Sequence, residues 1–222
     1  MRLVLEKKSL RRLLKWTQLA LFACGILLLG YCGFTLVDGW IFQRRASQDL
    51  DRQLRAQRAE NQNRPQARSS ISPKAGPAAA PKTDGLVGRI TIPRLRLSVV
   101  VVEGVTKTAL RRAAGHIPGT ALPGEAGNVG VAGHRDTFFR PLKDLKIKDE
   151  IRFSTLNGDF QYEVESLRVV APDDVGVLAP SGENVLTMVT CYPFYYVGPA
   201  PKRWIVRARQ VPPQAALPST VE

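Results

Sequence analysis

Cys191 is the residue around which this sequence could do chemistry. The chain of 222 residues holds three cysteines, and Cys24 and Cys32 lie inside a long apolar stretch. Cys191 stands apart from them. It ends an apolar run, Thr187-Met-Val-Thr-Cys191, and opens a loop of aromatics and prolines, Tyr192-Pro-Phe-Tyr-Tyr-Val-Gly-Pro. A thiolate attacks an acyl carbon far better than a thiol, and it needs either a nearby cation to lower its pKa or a base to take its proton. His134, in Val131-Ala-Gly-His-Arg-Asp-Thr137, can hold that proton and return it to a leaving amine. Arg203, twelve residues after Cys191, carries a fixed cationic fork suited to charge developing on an oxygen. It is no acid or base near neutral pH. Each residue also has a plain structural reading when taken singly: a small buried hydrophobe for the Cys, a backbone-bonded ring for the His and an edge-strand charge for the Arg. The second histidine, His116, falls in a Gly/Pro-rich loop and reads as a non-catalytic surface residue. Asp136 either orients His134 or caps a turn.

The elements that must position these groups are mostly strands. GRITIP at 88–93 alternates apolar and polar residues, and 97–104 is a continuous apolar run. Thr106 is placed to cap a short helix reaching Ala114. A strand is expected at 128–133, with His134 just past its end. Asn157-Gly158 joins 149–156 to 160–170 in a hairpin, and the second of these runs is long enough to bend. Strands at 184–190 and 203–209 complete seven or eight in about 125 residues, a spacing that suits a barrel or a sandwich. Cys191 and Arg203 then flank one loop, held by a rigid sheet as functional loops commonly are.

Upstream, Trp16 to Val37 contains no charge, and about 20 apolar residues at about 1.5 Å rise cross a hydrocarbon core of about 30 Å. The stretch is longer than a signal-peptide core and lacks a clear small-residue cleavage site, so it reads as an uncleaved anchor. Trp16 and Trp40 flank it as an aromatic belt would. Arg2, Lys7, Lys8, Arg11, Arg12 and Lys15 keep the amino terminus in the cytoplasm by the positive-inside rule, which puts the rest on the outer face. The organisation expected is a basic tail at 1–15, an anchor at 16–42, a tether at 43–85, a folded domain at 86–212 and a tail at 213–222. Residues 43–62 read as a solvated helix too polar to bury a core, and 63–85, rich in Pro, Ala and Ser, as a partly extended tether.

Three segments in this order resemble the sortases, cell-surface cysteine transpeptidases. They are Pro123-Gly-Glu-Ala-Gly-Asn-Val-Gly-Val-Ala-Gly-His134-Arg-Asp-Thr, Thr187-Met-Val-Thr-Cys191 and Arg203. The family's T-L-x-T-C motif matches at Thr187, Thr190 and Cys191, with Met188 in place of Leu, and the wording around both motifs is most similar to class D. The resemblance spans about 86–211. It implies an all-β fold: a sortase-like eight-stranded β-barrel with short helices, preceded by one transmembrane helix and a flexible tether. It also implies a groove with Cys191 as nucleophile, His134 as general acid/base, Arg203 as oxyanion or substrate stabiliser, and Thr190 and Thr187 as substrate-binding neighbours. The loop from Asp173 to Glu183 would wall that groove. Asp173, Asp174 and Glu183 are oxygen ligands of the type calcium takes, yet their spacing matches no compact calcium loop, so no metal and no cofactor is expected. No lid motif stands out in the tether, and an open site is expected.

The implied partners are a client protein bearing a sorting signal, an amine acceptor such as a cell-wall precursor or pilin-like subunit, and the membrane. Two alternatives keep the fold and change the role: a processing protease with water as acceptor, and a non-catalytic exported binding barrel. The net charge of +13 invites a nucleic-acid reading that its distribution removes. Residues 1–84 hold 15 Lys+Arg and 6 Asp+Glu, against 17 and 13 in 85–222, so most of the excess flanks the anchor.

Overall fold

A computed structural model describes residues 7–63 and 85–212. The expectations of an extended tether and of a separate tail at 213–222 lie mostly or wholly outside the described residues. The first element is a long helix, α1 (Lys7–Asn63). The chain divides into two compact units between Ile41 and Phe42. In the first, α1 is long and apolar enough to cross a membrane. Its large side chains, among them Leu21, Phe22, Leu27 and Leu29, are exposed, as they would be on a helix crossing lipid.

The second unit is a closed barrel. Its strands are β1 (Leu86–Ile92), β2 (Leu97–Glu103), β3 (Ala114–His116), β4 (Asn128–Ala132), β5 (Glu150–Thr155), β6 (Gly158–Val170), β7 (Val185–Tyr192) and β8 (Lys202–Val211), ordered β1-β2-β3-β4-β7-β8-β6-β5. Closure leaves no long free edge. A short helix, α2 (Lys107–Arg112), follows β2, and the Thr106 hydroxyl caps it by accepting from Ala109 N at 3.1 Å. The β5–β6 hairpin turns through Leu156-Asn157, one residue before the expected Asn157-Gly158: Gly158 already pairs with Thr155, and its φ of +144° is open to glycine alone at low cost. The long β6 is one strand. It pairs with β5 over Gly158–Glu163 and with β8 over Gln161–Val170, with a bulge between Val164 and Ser166. The three-residue β3 has too little sequence pattern to be read in advance.

Alternation decides what fills the barrel. Val99 and Val101 of β2 point inward with Ile90, Val129, Val131 and Leu186. Val100 and Val102 point outward and are buried too, which is why β2 reads as an unbroken apolar run. Part of their cover is Ala109 and Ala113 at α2, and part is α1 itself. Phe42 and Ala46, one turn apart, pack on this outer layer, and Leu50 is fully buried. Gln43 accepts from Val100 N at 2.9 Å and donates to Arg112 O at 2.7 Å, and Asp51 pairs with Arg89 at 2.7 Å. The expectation that 43–62 buries no core therefore fails at its beginning. Ala46, next to Phe42 one turn earlier, needs few companions, because β2 supplies most of the apolar surface.

Candidate active site

Cys191 is the penultimate residue of β7, half-buried and free of any disulfide. In the antiparallel β7–β8 ladder it lies directly opposite Arg203. On its other side β7 runs parallel to β4, with Val189 in register with Ala132. Main chain and side chain extend that pairing. Gly133 N donates to Val189 O at 3.1 Å, and the buried Thr190 hydroxyl donates to Gly133 O at 2.7 Å. His134 follows Gly133 as Cys191 follows Thr190, so the imidazole and the thiol leave neighbouring strands at the same level. Gly133 permits this path, because a Cβ there would lie 2.6 Å from the Phe139 ring.

His134 is exposed, and its side chain has no hydrogen-bond or ion-pair partner among the described residues. Its carbonyl accepts from Phe139 N at 3.1 Å, which fixes the backbone and leaves the ring to turn. Arg203 is half-buried. Its Nη1 donates to Ala200 O at 3.2 Å and Lys202 O at 3.0 Å, and no carboxylate among the described residues neutralises it. A thiol, an imidazole and a guanidinium thus stand at adjoining ends of β7, β4 and β8.

The expected threonines are both buried. Thr187 donates to Asn128 Oδ1 at 2.7 Å, and Thr190 to Gly133 as above. Both bonds tie β7 to β4, so contact with a substrate would have to come from other atoms of these residues. Asp136 makes no hydrogen bond to His134. His116 is not at the surface: it is buried, because β3 carries it against the rim of the barrel. The loop before β7 contains one helical turn at Val175–Leu178 and is anchored on β4, where Asn128 Nδ2 donates to Val177 O at 3.1 Å and Ala179 O at 3.2 Å. No group of three or more His, Cys, Asp or Glu among the described residues is placed to hold a metal ion.

Two features escaped the sequence reading. Asn128 links β4, β7 and the 175–178 turn at once, and its only signal was a polar residue opening an apolar strand. Trp204, opposite Thr190, stacks on Tyr192 at 5.9 Å and meets Phe194 edge-on at 6.0 Å. This aromatic wedge stiffens the strand ends beside Cys191 and Arg203.

Comparison with known proteins agrees with this arrangement. A sortase domain family model matches residues 90–211. Sortase D of Bacillus subtilis (strain 168) is 31% identical over 194 residues, covering 87% of this chain and 96% of that protein. Among solved structures, a Clostridium perfringens sortase D5 transpeptidase is 34% identical with a TM-score of 0.55, covering 60% of this chain and 82% of that one. A Clostridium perfringens sortase C, determined with the C-terminal cell wall sorting motif, is 27% identical with a TM-score of 0.55, covering 59% of this chain and 73% of that one. The chain belongs to the sortase family of cysteine transpeptidases.

Proposed function

We propose that this enzyme cleaves an LPXTG-like sorting signal between Thr and Gly and passes the acyl group to an amine. The observation that carries this is the double register of β7, parallel to β4 and antiparallel to β8, which brings His134 and Arg203 to either side of Cys191. The Cys191 sulfur attacks the threonyl carbonyl carbon, and the C–N bond breaks as His134 protonates the departing glycyl amine. The product is a thioester on Cys191. An incoming amine then attacks that carbonyl, gives its proton to His134 and displaces the thiolate. In both steps negative charge gathers on the carbonyl oxygen, and Arg203 is the cation at hand to stabilise it. The sorting motif held by the related sortase C supports the substrate class.

The helix at Trp16–Val37 anchors the enzyme in the membrane with its amino terminus in the cytoplasm, and the barrel works on the outer face, where client and acceptor meet. The acceptor is a cell-wall precursor or a pilin-like subunit. Thr187 and Thr190 support the groove from behind, holding β7 to β4 through their buried hydroxyls. Product analysis of a sorting-signal peptide, with and without an added amine, tests this. Transfer product that grows with amine concentration is expected, and Cys191→Ala should abolish both cleavage and transfer. Cleavage at an unchanged rate with no amine adduct would make water the acceptor, and activity retained in Cys191→Ala would end the assignment.

A further inference from the structure

We propose that Arg135 is a positioning residue, which sets the placement of His134 relative to Cys191 by clamping the β7–β8 loop. With Cys191 and His134 in the roles proposed above, rate depends on their separation, and that separation is not fixed by strand pairing alone. His134 lies beyond the last paired residue of β4, and the loop from Pro193 to Pro201 lies beyond the last pair of β7 with β8. Burial does not hold this loop at its tip: Tyr195 is 72% exposed and Val197 97%. Arg135 does. Its Nη2 donates to Tyr196 O at 2.6 Å and Gly198 O at 3.0 Å, and its guanidinium carbon lies 5.7 Å from the centre of the Tyr196 ring. Gly198 has φ +102°, which helps turn the loop there.

The two carbonyls received by Arg135 lie in the same loop as Ala200, whose carbonyl receives Arg203. One loop thus holds the residue after the proton carrier at one place and the cation at another, and both its ends run into strands bearing site residues. Arg135 Nη1 is buried with no hydrogen-bond partner. Leaving such a donor unpaired is unfavourable, and a merely decorative arginine would turn it to water. A single nitrogen, Nη2, reaches both carbonyls while the flat guanidinium lies over the Tyr196 ring. A lysine keeps the charge and loses that geometry.

The test compares wild-type enzyme, Arg135→Ala, Arg135→Lys and Cys191→Ala for amine-dependent turnover of a sorting-signal peptide, with the pH–rate profile and the melting temperature of each. Misplacement by about 1 Å can cost about a hundredfold. Arg135→Ala should therefore lower kcat about tenfold or more, change KM by less than about threefold and shift the pH–rate profile, at a melting temperature near wild type. Arg135→Lys should fall between the two. Wild-type kcat and pH profile in Arg135→Ala, or full recovery by lysine, overturns the inference. Should Arg135→Ala fail to fold, Arg135→Lys decides: lowered kcat in a folded protein supports the clamp, and wild-type kcat overturns it. Absence of turnover in the wild-type enzyme, or its persistence in Cys191→Ala, would instead refute the proposed function on which the inference rests.

Discussion

The two histidines of this chain belong to neighbouring strands and live in opposite surroundings. His116 ends β3 and is buried, with Nδ1 2.7 Å from Glu103 Oε2 and Nε2 3.0 Å from Ala121 O and 3.1 Å from the Thr120 hydroxyl. Both its ring nitrogens are engaged. The Thr120 hydroxyl in turn accepts from Gly130 N at 3.0 Å, so the cluster ties the β3–β4 connection to the barrel wall. His134 lies just past β4, exposed, its ring unpartnered among the described residues but its backbone pinned at Gly133 and Phe139. A ring whose nitrogens are saturated by the fold holds structure together. A ring on a fixed backbone with open nitrogens is free to exchange protons with a substrate. The two rings differ in where the fold places their hydrogen-bond partners, not in residue type.

Substituting each histidine sharpens the contrast. The largest effect is expected from His134→Ala. Loss of the proton carrier should lower kcat about a hundredfold to ten-thousandfold, with the melting temperature unchanged, as steady-state kinetics and a thermal melt will show. A variant with wild-type kcat would put the proton carrier elsewhere. His116→Ala should do the reverse. It strands buried partners at a cost of about 1–3 kcal/mol, read as a drop of several degrees in melting temperature, while folded enzyme keeps its kcat. A fall in kcat with no loss of stability would break the comparison.

The smallest effect concerns acid. Arg94 donates to both oxygens of Asp149, and this pairing, aided by Lys146 N, holds the Asp149 carboxyl below the usual carboxylate range. A depressed native pKa means the unfolded chain takes up the proton first. The resulting stability is full above about pH 4 and is lost as pH falls through the native value. Asp149→Asn should flatten the acid side of a stability–pH curve and leave the pH dependence of turnover intact. An unchanged acid limb of stability would place the titrating groups elsewhere.

Much of this was legible in the chain. Cys191, His134 and Arg203 each lie at or beside the end of a strand whose apolar residues stand out in the sequence, so strand ends and candidate site residues were read from the same segments. The many short strands left a barrel or a sandwich, the family resemblance implied the barrel, and the charge-free run at Trp16–Val37 announced a helix long and apolar enough to cross a membrane. What escaped depends on contacts between distant segments. β3 is three residues long and has pairing without pattern. His116 looked like a loop residue because Glu103, Thr120 and Ala121 enclose it only after folding. The segment 43–62 looked too polar to bury anything, since the partner surface of Ala46 and its neighbour Phe42 is the outer face of β2. Thr187 and Thr190 stood out as motif letters, yet their hydroxyls are bonded to Asn128 and Gly133.

The central claim is that Cys191 carries the acyl group and His134 moves the proton. Intact-protein mass spectrometry after brief mixing with a sorting-signal peptide, without an amine acceptor, tests it most directly. The wild-type enzyme should gain the mass of the acyl fragment on Cys191, released by hydroxylamine. His134→Ala should accumulate it far more slowly, His116→Ala at the wild-type rate per folded molecule, and Cys191→Ala not at all. An adduct in Cys191→Ala, or equal rates in the wild-type and His134→Ala proteins, would contradict the account.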